Sequence, residues 1–163
     1  MGRVFFNTLE HTHELTASDA TYQCIASDSN KAFMLNTNTA LAITLPADAD
    51  IEIGWNARFF MVLDHANTAI TIKASAVDAQ NFIGGVNLQV TAAAAAATFQ
   101  GYITSAIADT NSQIALDHDL ANNMASVGTD ISIMKTAENT FFVSGHVASV
   151  DADGTGAAIF SDI

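Results

Sequence analysis

The stretch Leu41-Ala-Ile-Thr-Leu-Pro46 decides the fold class. Leu41, Ile43 and Leu45 recur at every second position, so they share one face of an extended strand and leave Ala42 and Thr44 on the other. Pro46, the single proline, ends the strand because it has no N–H to give to a ladder and restricts the residue before it. The same reading spreads in both directions. Upstream, Val4-Phe5-Phe6 is a short apolar run ended by Asn7. Thr21 to Ala26 and Ala32 to Leu35 read as strands closed by the turn formers Ser27-Asp-Ser-Asn30 and Asn36-Thr-Asn38.

Downstream, Arg58-Phe-Phe-Met-Val-Leu63 is a continuous apolar run of strand length, which predicts a central strand buried on both faces. After the turn Asp64-His-Ala-Asn67, Ala69-Ile-Thr-Ile-Lys73 alternates again. Val86-Asn-Leu-Gln-Val90 does the same with Val86, Leu88 and Val90 inward. Thr98 to Ile103 is a further strand in which Gly101 predicts a bulge. Asp130-Ile-Ser-Ile-Met134 and Thr140 to Val147 predict a hairpin around Lys135 to Asn139.

Helix signals are scarce. The six alanines Ala92 to Ala97 are too few to sustain a helix alone, and flanking Thr91 and Thr98 favour extended chain, so a small-residue turn or close-packed strip is expected. Ile114, Leu116, Leu120 and Met124 approximate a helical stripe within Ser112 to Ser126, which predicts one short helix or ordered loop there. The expected fold is all-β: an antiparallel β-sandwich or β-barrel-like module with at most one short helix. No linker-like composition divides the chain, so a single β domain over 15–150 is expected, between an N-terminal arm, 1–14, and a C-terminal tail, 151–163.

Composition narrows the function. Half of the 163 residues are hydrophobic and only 13% are charged, against about 25% in an ordinary soluble domain. Ala, Thr, Ser and Asn make up the difference and suit contact surfaces, which points to an assembled protein. Seventeen acids against five bases give a formal charge of −12. That field repels phosphate backbones and argues against nucleic-acid partners. It suits a basic partner surface, cation binding or a solvated outer layer, and equally keeps an apolar β protein soluble. Cys24, the single cysteine, has no partner for an intrachain disulfide and alternates as a small core residue in Tyr22-Gln-Cys-Ile25. Met1 to Asn7 lacks the apolar stretch of a secretory signal. No run approaches the roughly 20 apolar residues that cross a bilayer as a helix, so no membrane partner is expected.

Three clusters and a single tryptophan carry candidate chemistry. His11 and His13 with Glu14 have a spacing that puts two imidazoles on one side of a strand, but a metal needs a third ligand and nothing nearby in sequence supplies it. Asp117-His118-Asp119, with Ser112 and Ser126 in the neighbourhood, lacks a nucleophile elbow and reads as a capped turn. Asp151, Asp153 and Asp162 fall at the first, third and twelfth positions of an EF-hand-like loop with Gly156 at the sixth, but alanines and Thr155 break the pattern. A glycine-rich turn is the preferred reading there, with a calcium-stabilised loop as the alternative. Trp55, beside Gly54, reads as a core or interface anchor. The expected interface residues are Phe5, Phe6, Trp55 and Tyr102, and the chain is read as non-enzymatic, with no catalytic residues and no cofactor.

One set of segments resembles a known class. Leu15-Thr-Ala-Ser-Asp-Ala20, Leu41-Ala-Ile-Thr-Leu-Pro46, Gly54, Ala69-Ile-Thr-Ile-Lys73 and Asn81-Phe-Ile-Gly-Gly85 follow in order a pattern of tailed-bacteriophage virion modules. In that pattern a T-A-x-D turn precedes a strand ending T-L-P, then a Gly-led strand, a v-T-I strand and a short I-x-G turn. Ile131-Ser-Ile-Met-Lys135 with Phe141-Phe-Val-Ser-Gly145 is similar to its usual ending, with Phe142 near the common Trp. The likeness covers 15–90 and 130–147, and 99–130 has no counterpart in it. It implies a virion structural protein, made in the host cytoplasm and commonly trimeric. A short acidic domain without shaft repeats or heptads fits a capsid decoration or cement protein that binds the major capsid protein and stabilises the head. A tail- or head-fibre module that binds a receptor or glycan is the alternative.

Overall fold

The computed structural model describes residues 11–63, 68–75, 80–90, 99–103, 111–118, 125–149 and 160–161. Among them the chain is built of strands, with short 3₁₀ turns as its helical segments. No helix in this set is long and apolar enough to cross a membrane.

The first six strands wind. β1 (Thr12–Thr16), β3 (Lys31–Asn36) and β5 (Asn56–Met61) lie side by side in one sheet, and β2 (Thr21–Gln23), β4 (Leu41–Thr44) and β6 (Thr68–Lys73) lie side by side in a second. The chain therefore changes sheet at each turn and returns one strand further along, so all neighbours in this half are parallel. The second half closes the winding with reversed strands. In the first sheet β10 (Asp130–Ala137) covers the open edge of β5 antiparallel. In the second, β9 (Gln113–His118) covers that of β6. β7 (Asn81–Val90), β8 (Phe99–Ile103) and β11 (Thr140–Ser149) complete a seven-stranded sheet, β1-β3-β5-β10-β11-β7-β8. β12 (Phe160–Ser161) completes a five-stranded one, β12-β9-β6-β4-β2.

A single core cluster joins the inner faces of both sheets, so the fold is an all-β sandwich. Leu41, Ile43, Ile70, Ile72, Ile114 and Leu116 face it from the smaller sheet. From the larger sheet Phe33 stacks on Phe59 with ring centroids 5.1 Å apart, and Phe82 meets Phe141 edge-on.

Several expectations are corrected. The sheets are mixed rather than antiparallel, because winding between two layers returns each strand in the same direction as its predecessor. Gln113–His118, placed in the expected short helix or ordered loop, is a strand: Ile114 and Leu116 are two apart and both buried, and the antiparallel edge of β6 pairs with them. β5 is buried on one face only, since Phe59 and Met61 are inside while Arg58 and Val62 are exposed. Gly101 pairs with Asn87 in unbroken register, without a bulge. Ile83-Gly84-Gly85 continues β7 instead of turning. The hairpin of β10 and β11 is present, but its turn is Glu138-Asn139, and Lys135 lies within the strand and points inward. β1 takes in Thr12–Glu14 from the expected arm, and β12 takes in two residues of the expected tail. The alanine run 92–97 lies outside the described residues.

Three polar devices hold the winding in register. At the end of β1 the Asp19 carboxylate accepts bonds from the Thr16 N–H at 2.8 Å and the Thr16 hydroxyl at 3.0 Å. The Asp19 N–H donates to the Thr16 carbonyl. The turn is thus closed on both sides, and the Thr16 backbone bond holds the Asp19 carboxyl below its ordinary range. Between β2 and β3, the buried Asp28 accepts from Tyr22 Oη at 3.2 Å, the Ile25 N–H at 2.9 Å and Lys31 Nζ at 2.6 Å. Between β4 and β5, buried Lys135 reaches across from β10. Its Nζ donates to the Asp48 and Ile51 carbonyls and pairs with Asp48 Oδ1, each at 2.8 Å.

Burial of Tyr22 and Cys24, with Asp28 beside them, makes the fold sensitive to alkali. Burial, then the Asp28 carboxylate, pushes Tyr22 up to about 12. Burial, reinforced by Asp28, pushes the Cys24 thiol up to about 12. Both groups keep their protons in the folded chain and lose them more readily when unfolded. Their contribution is complete below about pH 9 and is lost as pH rises towards about 12. With about 1.4 kcal/mol per unit, discounted for the solvent that still reaches Tyr22, the combined fall is on the order of 2–3 kcal/mol. Denaturant unfolding between neutral pH and about pH 11 measures it, and Tyr22→Phe is expected to flatten the slope. An unchanged slope in that variant would assign the loss to other groups.

Candidate interaction surface

The outer face of the seven-stranded sheet carries the most ordered apolar exposure. Register places Met134, Phe142 and Ile83 directly beside one another on β10, β11 and β7. They are 42%, 40% and 39% exposed. Alternation explains why they point out: their neighbours Ile133, Phe141, Val143 and Phe82 fill the core. A row of apolar side chains across three adjacent strands is a flat, preformed contact strip rather than scattered surface residues.

Beside this strip runs a second row, Arg58, Ser132 and Ser144. Arg58 grips the Asp130 carboxylate with two nitrogens, Nε at 2.7 Å and Nη2, and its guanidinium lies 5.7 Å from the Phe60 ring centre. The guanidinium holds the Asp130 carboxyl below its ordinary range, and the carboxylate raises Arg58 in turn. The second row, with Met134 and Phe142 from the first, lines an open depression of about 530 Å³ that also takes in Lys31 and Asn56. Arg58, one of the five bases, therefore lies on this outer face of an acidic chain. The arrangement provides shape and apolar contact, with the Arg58 guanidinium in its lining to set orientation.

Neither a protein-family model, nor a curated protein, nor a solved structure matches this chain.

The residues singled out in the sequence fall in different places. Trp55, read as a core or interface anchor and counted among the expected interface residues, is buried in the core. It is 4% exposed, edge-on to Phe141, and its Nε1 donates to the Ile25 carbonyl at 3.4 Å. The Gly54 turn directs it inward because Gly54 adopts a φ of +98° that few other residues tolerate. Tyr102 lies in β8 opposite Val86. Phe5 and Phe6 lie outside the described residues, as do Asp119, Asp151, Asp153 and Asp162. His13 packs its ring against Tyr22 and Phe33, while Glu14, on the opposite face of β1, accepts a bond from Asn36. No group of three ligand-type side chains gathers among the described residues. Asp117 and His118 lie in β9 opposite Ala69 and Thr68, and Ser112 and Ser126 are buried. The Met134-Phe142-Ile83 strip was missed by sequence reasoning. Its signal was the pair Phe141-Phe142, in which strand alternation commits one ring to the core and the other to the outside.

Proposed function

We propose that this chain is a non-enzymatic virion structural protein, a capsid decoration or cement protein that binds the major capsid protein of the assembled head as a homo-oligomer, a trimer by the resemblance, and stabilises the shell. The observation that carries this reading is the outward strip Met134-Phe142-Ile83 on a sheet backed by a fully packed core. Covering the remaining exposed part of three such side chains contributes about 3 kcal/mol per contact. Contacts of that size, repeated over many copies, brace a shell without any single strong site. The Thr16–Asp19 turn and the Leu45–Pro46 stop, both within the segments that carry the resemblance, are points where the chain leaves one sheet for the other.

The test is deletion of the gene from the phage that carries it, followed by heating or chelator challenge of the purified heads. Heads lacking the protein are expected to lose their DNA under milder conditions, and Phe142→Ser protein added back is expected to restore resistance poorly. Heads that withstand heat and chelator equally well without the protein would overturn the reading. A second reading, a tail- or head-fibre module that meets a receptor or glycan, draws on the parallel winding of β1 to β6, since stacked coils are the way extended shafts are built. Location of the protein in intact particles separates the two.

A further inference from the structure

The end of the sandwich where β2 passes to β3 and β4 to β5 holds the two most exposed large apolar side chains among the described residues, Ile53 at 67% and Ile25 at 55%. Both are put there by backbone geometry. Glu52 to Trp55 is a tight turn closed by the Trp55 N–H on the Glu52 carbonyl, and positive-φ Gly54 leaves Ile53 at its corner. Ile25 follows the inward Cys24 and precedes the 3₁₀ turn Ala26–Asp28, so alternation turns it outward. The two loops are tied together by the Trp55 indole, which donates to the Ile25 carbonyl. Between them run two depressions of about 540 and 380 Å³ that share Ala26 and Asp50, the smaller floored by Trp55.

The charge around this groove has one sign. Asp50 and Glu52 are exposed on its rim, and neither forms an ion pair among the described residues; Glu138 is exposed on the adjoining turn. The two lysines bonded into these loops are already committed, Lys31 to Asp28 and Lys135 to Asp48. A second copy of this chain, itself at −12, would be repelled here. We infer that the groove between Ile25 and Ile53 docks a lysine- or arginine-flanked apolar segment of another protein, the isoleucines taking its apolar residue and Asp50 and Glu52 its flanking cations. The inference is independent of the virion reading and lies at a different surface from the Met134-Phe142-Ile83 strip.

Trp55 is the single tryptophan, so its fluorescence reports on the groove without labelling. The full chain is titrated with three short capped peptides: alternating Leu and Lys, alternating Ser and Lys, and alternating Leu and Glu. The Leu/Lys peptide is expected to give a saturable change in Trp55 emission that weakens with added salt. Its affinity is expected to fall by about tenfold in Ile25→Ser/Ile53→Ser, and several-fold in Asp50→Asn/Glu52→Gln. These positions are exposed, and unchanged melting temperatures verify that the variants fold. Absence of a saturable change, equal binding of the Ser/Lys peptide, or unaltered affinity in the isoleucine variant would each overturn the inference. So would light scattering that reveals an oligomer broken by Ile25→Ser/Ile53→Ser, since the groove would then belong to a second copy.

Discussion

Lys135→Met is expected to lower the folding free energy by about 3–5 kcal/mol, the cost of leaving buried partners of a removed charge uncompensated. Lys135 is 5% exposed, and its three donors are all spent, on two backbone carbonyls and one carboxylate of the Asp48–Ile51 loop. Methionine fills the same volume but satisfies none of them. Asp48 would keep the Asn139 N–H as a partner, yet lose the cation. At present burial pushes the Asp48 carboxyl up, and the bonds from Lys135 and Asn139 outweigh it and hold it below its ordinary range. Arg58→Met is the instructive contrast. It breaks the bidentate pair with Asp130, but the Arg58 side chain is 57% exposed, and water replaces the lost partner for about 1 kcal/mol or less. Denaturant unfolding followed by Trp55 fluorescence measures both. Equal losses in the two variants would show that the Lys135 cluster is not shielded from solvent.

Gly145→Ala is expected to cost about 3 kcal/mol or more, and a chain that does not fold is within that expectation. A Cβ at Gly145 would lie 2.1 Å from the Asp130 carbonyl oxygen and 3.0 Å from the Ile131 Cα, both backbone atoms of the neighbouring strand. Its φ of +142° is also one that side-chain-bearing residues avoid. Gly84 has the same problem in β7, with a Cβ position 2.3 Å from the Val143 carbonyl oxygen. Gly54 separates strain from crowding: its φ is +98°, but a Cβ there meets nothing within 4 Å. Thermal melts are expected to place Gly54→Ala nearest the parent protein, with Gly84→Ala and Gly145→Ala far below it. A Gly145→Ala protein as stable as Gly54→Ala would mean that β10 and β11 are further apart than described.

The polar residues divide in the same way as the glycines. Lys135 looked like part of a hairpin loop because a lysine after Ile131-Ser-Ile-Met134 continues no apolar pattern. It is inward because the loop after β4, more than 80 residues earlier, brings carbonyls to meet it. Asp28 and Asp19 sat among the turn formers in the sequence, and turns are where they act. Their partners Tyr22 and Thr16 are six and three residues away, so short-range reasoning reaches them. Trp55 was open between core and interface, and the choice was made by Phe141, a residue that no local pattern connects to it.

What the sequence by itself determined is therefore the all-β class, the inward faces of strands such as Leu41–Thr44 and Thr68–Lys73, and the burial of Cys24. Each follows from alternation, which is a property of neighbours along the chain. Only the tertiary structure decided that the first six strands wind in parallel between two sheets, that Gln113–His118 is a strand, and that Phe142 lines up with Met134 and Ile83 on the outside. The physical reason is that a period of two states which side of a strand is covered. Which strand lies next to it, and in which direction, is set by contacts between residues far apart in the chain.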